Sequence, residues 1–259
     1  MSVFLFDEMI FGPVKSRRLG VSLGINLLPT HRKMCSFNCI YCECGWTTNK
    51  SIQSRQLPSL ADFELALENK LIALQGTELE PDSLTFAGNG EPCIHPQFAQ
   101  IVDSTLALRE KFAPKANVSV LTNGSMLHKE EVFEALLRVD NSLLKLDGGT
   151  AATISAINMP LKAFKLEVYV EQLKRFNGNF VIQSLFLKGQ HKGVAIDNTT
   201  QEEVNAWLNI LLQVKPKKVM VYAIERDTPA SGLVKVSETE LESIAAKVRR
   251  LGIEAEVFA

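Results

Sequence analysis

The chain is 259 residues long and 46% hydrophobic, with 28 Lys and Arg against 29 Asp and Glu for a net charge of −1, the composition of an ordinary globular protein and not of a disordered one. That balance excludes a global basic field of the kind that drives nonspecific binding to phosphate backbones, so any nucleic-acid contact must rest on a local patch. The opening MSVFLFDEMIFG carries Asp7 and Glu8 inside its apolar run, lacks a basic leader and a small-residue cleavage site, and so does not read as a signal peptide. No segment approaches the roughly 18 uninterrupted apolar residues of a membrane span. A cytoplasmic protein without membrane contact is the expectation, and there clustered cysteines suggest metal or redox chemistry before disulfides.

In chain order, residues 21–27 read as a first strand, followed by a cysteine-bearing loop. Over 61–76 Phe63, Leu67, Leu71 and Leu74 recur at helical spacing, and Gly76 can end the helix. SLTFAGNGEP (83–92) reads as a strand running into a glycine-rich turn, PQFAQIVDSTLALREKF (96–112) as a helix opened by Pro96, and NVSVLTNG (117–124) as strand and turn. The cycle repeats three times more: helix 129–139 and strand 142–149, helix 163–176 and strand 179–189, helix 200–213 and strand 217–229. A last helix over 237–251 opens with Ser237 as N-cap and Glu240 three residues on, the capping-box pattern, and IEAEVF (253–258) closes the chain as a possible seventh strand.

Repeated β–α units imply parallel strands joined by right-handed helical crossovers. The expectation is an α/β protein with a partial (β/α)6 barrel, forming one domain over 1–259, with 1–20 as an N-terminal extension. Every predicted strand from the second onward ends in a polar or glycine-rich cluster: GNGEP, TNG, DGGT, KG and ERDTP. In barrels the C-terminal strand ends gather at one mouth, where residues serve binding and catalysis.

Four of the five cysteines fall in one short stretch, KMCSFNCIYCECGW, as Cys35, Cys39, Cys42 and Cys44; the fifth is Cys93. The first three stand as C-x3-C-x2-C and supply three thiolates from one loop. A [4Fe–4S] cluster usually takes four cysteines, so three would leave one iron open to an exogenous molecule.

Here the sequence resembles the radical SAM superfamily, whose signature is this loop after the first strand of a partial barrel. The resemblance runs from GPVKSRRLGVSLGINLLP through the loop at 30–46, FAGNGEPCIHP, LTNGS, KLDGGT and VYAIERDTP, and is greatest to stand-alone Fe–S oxidoreductases related to the wyosine-base synthesis enzymes that modify tRNA. It implies an oxidoreductase with a [4Fe–4S] cluster and S-adenosylmethionine (SAM) as cofactors. The open iron would chelate the amino and carboxylate groups of SAM, and an electron would break the S–C5′ bond to give a 5′-deoxyadenosyl radical that takes hydrogen from an unidentified substrate. Cys35, Cys39 and Cys42 become the cluster ligands and Tyr41 an adenine contact. The resemblance assigns Asn89, Gly90 and Glu91 to the element whose backbone binds the methionine amino group, although Asn89 departs from its Gly-Gly-Glu pattern. Asn123, Lys145 and Asp147 become candidates for the methionine carboxylate or ribose, and Ile224 for a backbone contact to adenine. The substrate would be a small molecule or a tRNA base, and the electron would come from an external flavodoxin- or ferredoxin-type donor.

Plainer readings stand beside these. Cysteines at i, i+4 and i+7 also share one helix face and could be a buried thiol stripe; Phe37, Ile40 and Tyr41 blur it. A zinc-stabilised, non-catalytic binding module would use Cys44 or His31 as fourth ligand. Cys44 and Cys93 could serve an auxiliary cluster, donate hydrogen to a substrate radical, or be a loop thiol and a packed thiol, and His31, His128 and His191 read as surface residues. His95 could touch substrate or satisfy a loop. Arg17 and Arg18 could hold a phosphate or carboxylate or belong to a solvated loop, and Arg226 and Lys188 are equally open between substrate and ion pair.

Overall fold

The computed structural model of the chain describes residues 4–16, 18–48 and 57–259. An antiparallel pair comes first, β1 (Ile10–Ser16) and β2 (Gly20–Ile25). Then follow α1 (Leu60–Leu74), β3 (Ser83–Phe86), α2 (Phe98–Phe112), β4 (Asn117–Thr122), α3 (Glu130–Arg138) and β5 (Asn141–Lys145). Two helices in succession, α4 (Ala151–Asn158) and α5 (Leu166–Lys174), lead to β6 (Val181–Leu185). The chain continues through β7 (Leu187–His191), β8 (Val194–Asp197), α6 (Gln201–Val214), β9 (Lys218–Tyr222), β10 (Leu233–Lys235), α7 (Glu238–Arg250) and β11 (Glu254–Phe258).

Among the described residues the main sheet has eight strands in the order β1-β2-β3-β4-β5-β6-β9-β11, parallel throughout except for β1. It curls into a half-barrel, as expected for a partial barrel, with the seventh parallel strand supplied by β11. Residues Ile10–Ser16, expected as part of an extension, instead join this sheet as its antiparallel edge. A smaller sheet, β10-β7-β8, stands apart from it. The predicted strand over 179–189 therefore breaks at Phe186: its first half pairs in the half-barrel and its second half turns into the small sheet.

The helices form for the reasons their sequences give. In α1, Ser59 caps the first turn by accepting from the Asp62 N–H at 3.1 Å. Phe63, Leu67, Leu71 and Leu74 are its buried stripe, each contributing about 1.5–3 kcal/mol on burial. Ser237 likewise accepts from the Glu240 N–H in α7 at 3.3 Å. Pro96 does not open α2, whose first residue is Phe98 and whose cap is Gln97; a short 3-10 turn at Pro92–Ile94 lies between β3 and Pro96. Because β2, β3, β4, β5, β6, β9 and β11 run parallel, the segments after β3, β4, β5 and β9 emerge at one end of the sheet, and the cysteine loop after β2 emerges with them.

Candidate active site

The cysteine loop is fastened on both flanks. On one side Met34 donates its N–H to Asn89 O at 2.8 Å and its carbonyl accepts from Glu91 N–H at 3.1 Å, a bridge between the loop and the turn after β3. Gly90 makes this approach possible: its φ is +143°, and a Cβ there would lie 1.9 Å from Met34 O. On the other side Asn38 N–H donates to Asn158 O at 3.1 Å, and Ile40 N–H to Ile157 O at 2.9 Å, so the loop rests on the C-terminal turn of α4.

Held this way, Cys35, Cys39, Cys42 and Cys44 all line one cavity of about 580 Å³ at the C-terminal strand ends. Lys33 is buried beside them, 3% exposed, donating Nζ–H to Gly45 O at 2.9 Å. Burial pulls its pKa down, but the negative charge available from Cys42, Cys35 and Cys39 outweighs this and raises it. A hydrogen bond from Cys44 and the Lys33 cation hold Cys42 down, to about 5 against the pull of burial, whereas burial pushes Cys35 up to about 12. Cys44 Sγ lies 3.4 Å from Gly88 O.

These residues fit an iron–sulfur cluster: three soft thiol donors and a buried cation to offset thiolate charge face one space. Among the described residues no three Cys, His, Asp or Glu side chains converge on a point that would hold a single ion. A four-iron cube needs no such point, because each thiolate takes a separate corner.

The strand ends add polar groups to the same cavity. Glu91 follows β3 and crosses to the end of β4, accepting from Asn123 N–H at 2.7 Å and Thr122 Oγ–H at 2.6 Å. Burial raises its pKa despite these donors. Asn123 in turn donates Nδ2–H to Ser36 Oγ at 2.9 Å and lies 3.6 Å from Cys35 Sγ. After β5, the Tyr41 hydroxyl donates to Asp147 and accepts from Lys145 Nζ at 2.6 Å. Burial and then Asp147 push the tyrosine pKa well up. Burial lowers that of Lys145, but Asp147, 3.5 Å from its ammonium, acting together with Tyr222, Cys39 and Cys42, raises it further than burial lowers it.

Of the residues singled out from sequence, Cys35, Cys39, Cys42, Tyr41, Gly90 and Glu91 line the cavity, as do Asn123, Lys145, Ile224, Arg18 and Arg226. Arg17 lies outside the described residues. Asn89 and Asp147 stand behind the wall, with their side chains used within the protein. The Asn89 amide pairs with Phe6 and with Pro29 O, which gives the departure from glycine a structural purpose. Asp147 accepts from Leu185 N–H at 2.9 Å and Asn158 Nδ2–H at 2.7 Å in addition to its Tyr41 and Lys145 contacts.

His95 is away from the cavity, its Nε2–H donating to Pro58 O and its Nδ1 accepting from Gln97 N–H, so it satisfies a loop. Lys188 belongs to β7 and pairs with Glu240 of α7, which takes it out of the cavity lining. Arg226 pairs with Glu43 at 2.7 Å on the rim. Cys93 is packed, donating to Thr122 Oγ1. His191, expected at the surface, stacks on Trp46 with ring centroids 5.7 Å apart.

Sequence reasoning missed Lys33 as a buried group, Asn158 on an unpredicted helix, and Tyr222. For Lys33, its place two residues before Cys35 was the available signal.

A UPF0026 protein of Synechocystis sp. is 30% identical over 226 residues, which are 85% of this chain and 77% of the relative. The chain belongs to the UPF0026 family. A UPF0026 protein of Methanocaldococcus jannaschii is 32% identical over 211 residues, 80% of this chain and 61% of the relative. A Brachyspira hyodysenteriae protein named GTPase Obg is 30% identical over 246 residues, 92% of this chain and 33% of its own length. The chain thus spans less than two thirds of these last two relatives. No family model matches.

Among solved structures this UPF0026 chain resembles a radical SAM methyltransferase of Sphaerobacter thermophilus, with a TM-score of 0.64 at 14% identity over 92% of this chain and 65% of that one. SuiB of Streptococcus suis bound to S-adenosylmethionine gives 0.58 at 13% over 91% and 46%, and an archaeal TYW1 gives 0.54 at 11% over 88% and 71%. The UPF0026 chain has the radical SAM fold. Among the described residues no helix is long and apolar enough to cross a membrane.

Proposed function

We propose that this protein is a radical SAM enzyme. Cys35, Cys39 and Cys42 hold a [4Fe–4S] cluster and the remaining lining binds SAM. When bound, the cluster supplies an iron open to the amino and carboxylate groups of SAM and the electron that splits its S–C5′ bond, so that the adenosyl carbon can take hydrogen from substrate. The observation that carries this reading is the meeting of three loop thiols with strand-end groups from β3, β4, β5 and β9 in one cavity of a radical SAM half-barrel.

The chain's own residues then have separable tasks. Lys33 offsets thiolate charge beside the loop. Asp147 and Tyr41 orient Lys145 so that its ammonium faces the cavity as a donor to a carboxylate. Glu91 acts through Asn123, fixing the end of β4 next to Cys35. Tyr41 and Ile224 offer apolar surface for an adenine, and Phe6, Phe11 and Phe258 wall off the other side, limiting water around a reactive carbon. Electrons come from a flavodoxin- or ferredoxin-type partner.

The test is direct. Protein reconstituted anaerobically with iron and sulfide is mixed with SAM and dithionite, and the products are separated by chromatography. Release of 5′-deoxyadenosine and methionine is expected; intact SAM after many equivalents of reductant would overturn the reading.

A further inference from the structure

Among the described residues, three of the five cations that line the cavity are neutralised by the protein. Lys145 has Asp147, Arg226 has Glu43, and Lys33 has the thiols and Gly45 O. Arg18 is different. Its guanidinium lies over the Tyr222 ring, 4.9 Å from the centroid. Among the described residues it has neither a carboxylate partner nor a side-chain hydrogen bond to the protein. The ring face offsets part of a positive charge, but it accepts none of the five N–H groups of an arginine as a carboxylate would. A half-buried guanidinium with open donors is a seat for an oxyanion, which it grips with two parallel hydrogen bonds.

The seat is built before any ligand arrives. Ser16 Oγ accepts from both Arg18 N–H and Leu19 N–H at 3.2 Å, closing the turn between β1 and β2. Asp82 then pins the turn to the main sheet by accepting from Val21 N–H at 2.8 Å. The next residue after the turn, Gly20, has φ +70° and lies so close that a Cβ would sit 2.5 Å from the same Asp82 oxygen. Asp82 therefore spends its charge on backbone and leaves the guanidinium unpaired. Arg18 also lines a second cavity of about 440 Å³ reached from the N-terminal strand ends, so it stands between the two spaces. Tyr222, its stacking partner, sits at the end of β9 and lines the same cavity as the three loop cysteines.

We infer that Arg18, seated on Tyr222, is the specificity-determining residue for substrate, and that the substrate is a small molecule bearing a carboxylate or phosphate. The inference rests on the radical SAM reading for what happens to that molecule, but the anion seat itself does not need it. Lys15, exposed on β1 and lining the same cavity, adds a second cation to the approach.

The test uses the full-length reconstituted protein with inorganic phosphate and propionate as separate probes, titrated by calorimetry at low ionic strength. The wild type should bind at least one probe, and which one it binds distinguishes a phosphorylated from a carboxylate substrate. R18Q should weaken that binding tenfold or more, R18K should recover part of it, and R226Q should stay within about twofold of wild type because Arg226 already has a partner. Binding by R18Q equal to wild type, or binding of neither probe by wild type, overturns the inference. Should R18Q fail to fold, wild-type crystals soaked in selenate decide: anomalous density at the Arg18 guanidinium supports the seat, and its absence there rejects it. The two claims fail separately. A wild type that binds phosphate through Arg18 but leaves SAM intact sinks the activity and keeps the seat; one that cleaves SAM while R18Q binds phosphate normally sinks the seat alone.

Discussion

Asn89 holds Phe6 by both of its backbone groups: the Phe6 N–H donates to Asn89 Oδ1 at 2.9 Å, and Asn89 Nδ2 donates to the Phe6 carbonyl at 2.8 Å. One buried amide thus clips the N-terminal arm to the turn after β3. The arm brings aromatic cover with it, since Phe6 stacks on Phe11 with centroids 3.7 Å apart, and both rings line the cavity. Gly24 accepts this arrangement because its Cβ would fall 2.1 Å from the Phe11 ring.

Replacing Asn89 with alanine should free the arm. Three neutral hydrogen bonds are lost, two to Phe6 and one to Pro29 O, and buried partners are left unpaired, a cost of about 1–3 kcal/mol. Amide exchange at Phe6 should quicken well beyond that of β3, as measured by hydrogen exchange with fragment mass analysis. Unchanged protection at Phe6 would show that something else anchors the arm.

Gly90→Ala asks for two things the site cannot give, a side chain at φ +143° and 1.9 Å of space beside Met34 O. Relief requires the loop to part from the β3 turn, at a cost of about 2–4 kcal/mol. Iron retained per chain after reconstitution should fall below half of the wild-type value while far-ultraviolet dichroism stays native. Wild-type iron content in G90A would contradict the two-sided clamp.

Lys33→Met removes the buried cation beside the three thiols. A nearby positive charge favours the more negative, reduced form of a bound cluster, so its removal should lower the midpoint potential. The check is a redox titration followed by electron paramagnetic resonance. A potential that stays put or rises would remove Lys33 from the account.

His95 gives a pH dependence. Burial lowers its pKa below the ordinary 6.5, against the opposing bond to Pro58 O. The folded chain therefore keeps this ring neutral where the unfolded chain has begun to take a proton. Its contribution to stability is complete above about pH 6.5 and is lost as pH falls through that value towards the folded pKa. The stability difference between pH 7 and pH 5, from urea unfolding, should shrink in H95Q; a difference as large as that of the wild type would show that other groups set it.

The parts of the fold legible in the sequence were those written in local periodicity. The stripe Phe63, Leu67 and Leu71 announced α1, and Ser237 with Glu240 announced the start of α7. Helix α4 was not legible: Ala151–Asn158 is eight residues long, holds Thr153, Ile154 and Ile157, which are poor helix formers, and follows directly on a glycine turn. Strand β1 was hidden by Gly12 and Pro13, which read as breakers yet are tolerated at an edge where the register shifts between Phe11 and Val14.

The site divides the same way. The spacing of Cys35, Cys39 and Cys42 is local and could be read directly. What Tyr41 does is decided by Asp147 and Lys145, more than a hundred residues away, and the role of Asn89 by Phe6, 83 residues before it. Such partners are chosen by the curl of the sheet, which brings distant strand ends together, and no short stretch of sequence records them.

The measurement that tests the central claim most directly is iron and acid-labile sulfide per chain after anaerobic reconstitution, in wild type and in C39S. Wild type should carry about four of each and show a brown charge-transfer band, with C39S losing most of both while remaining folded. A single zinc without sulfide in the wild type, or a C39S protein with the full iron complement, would contradict the account.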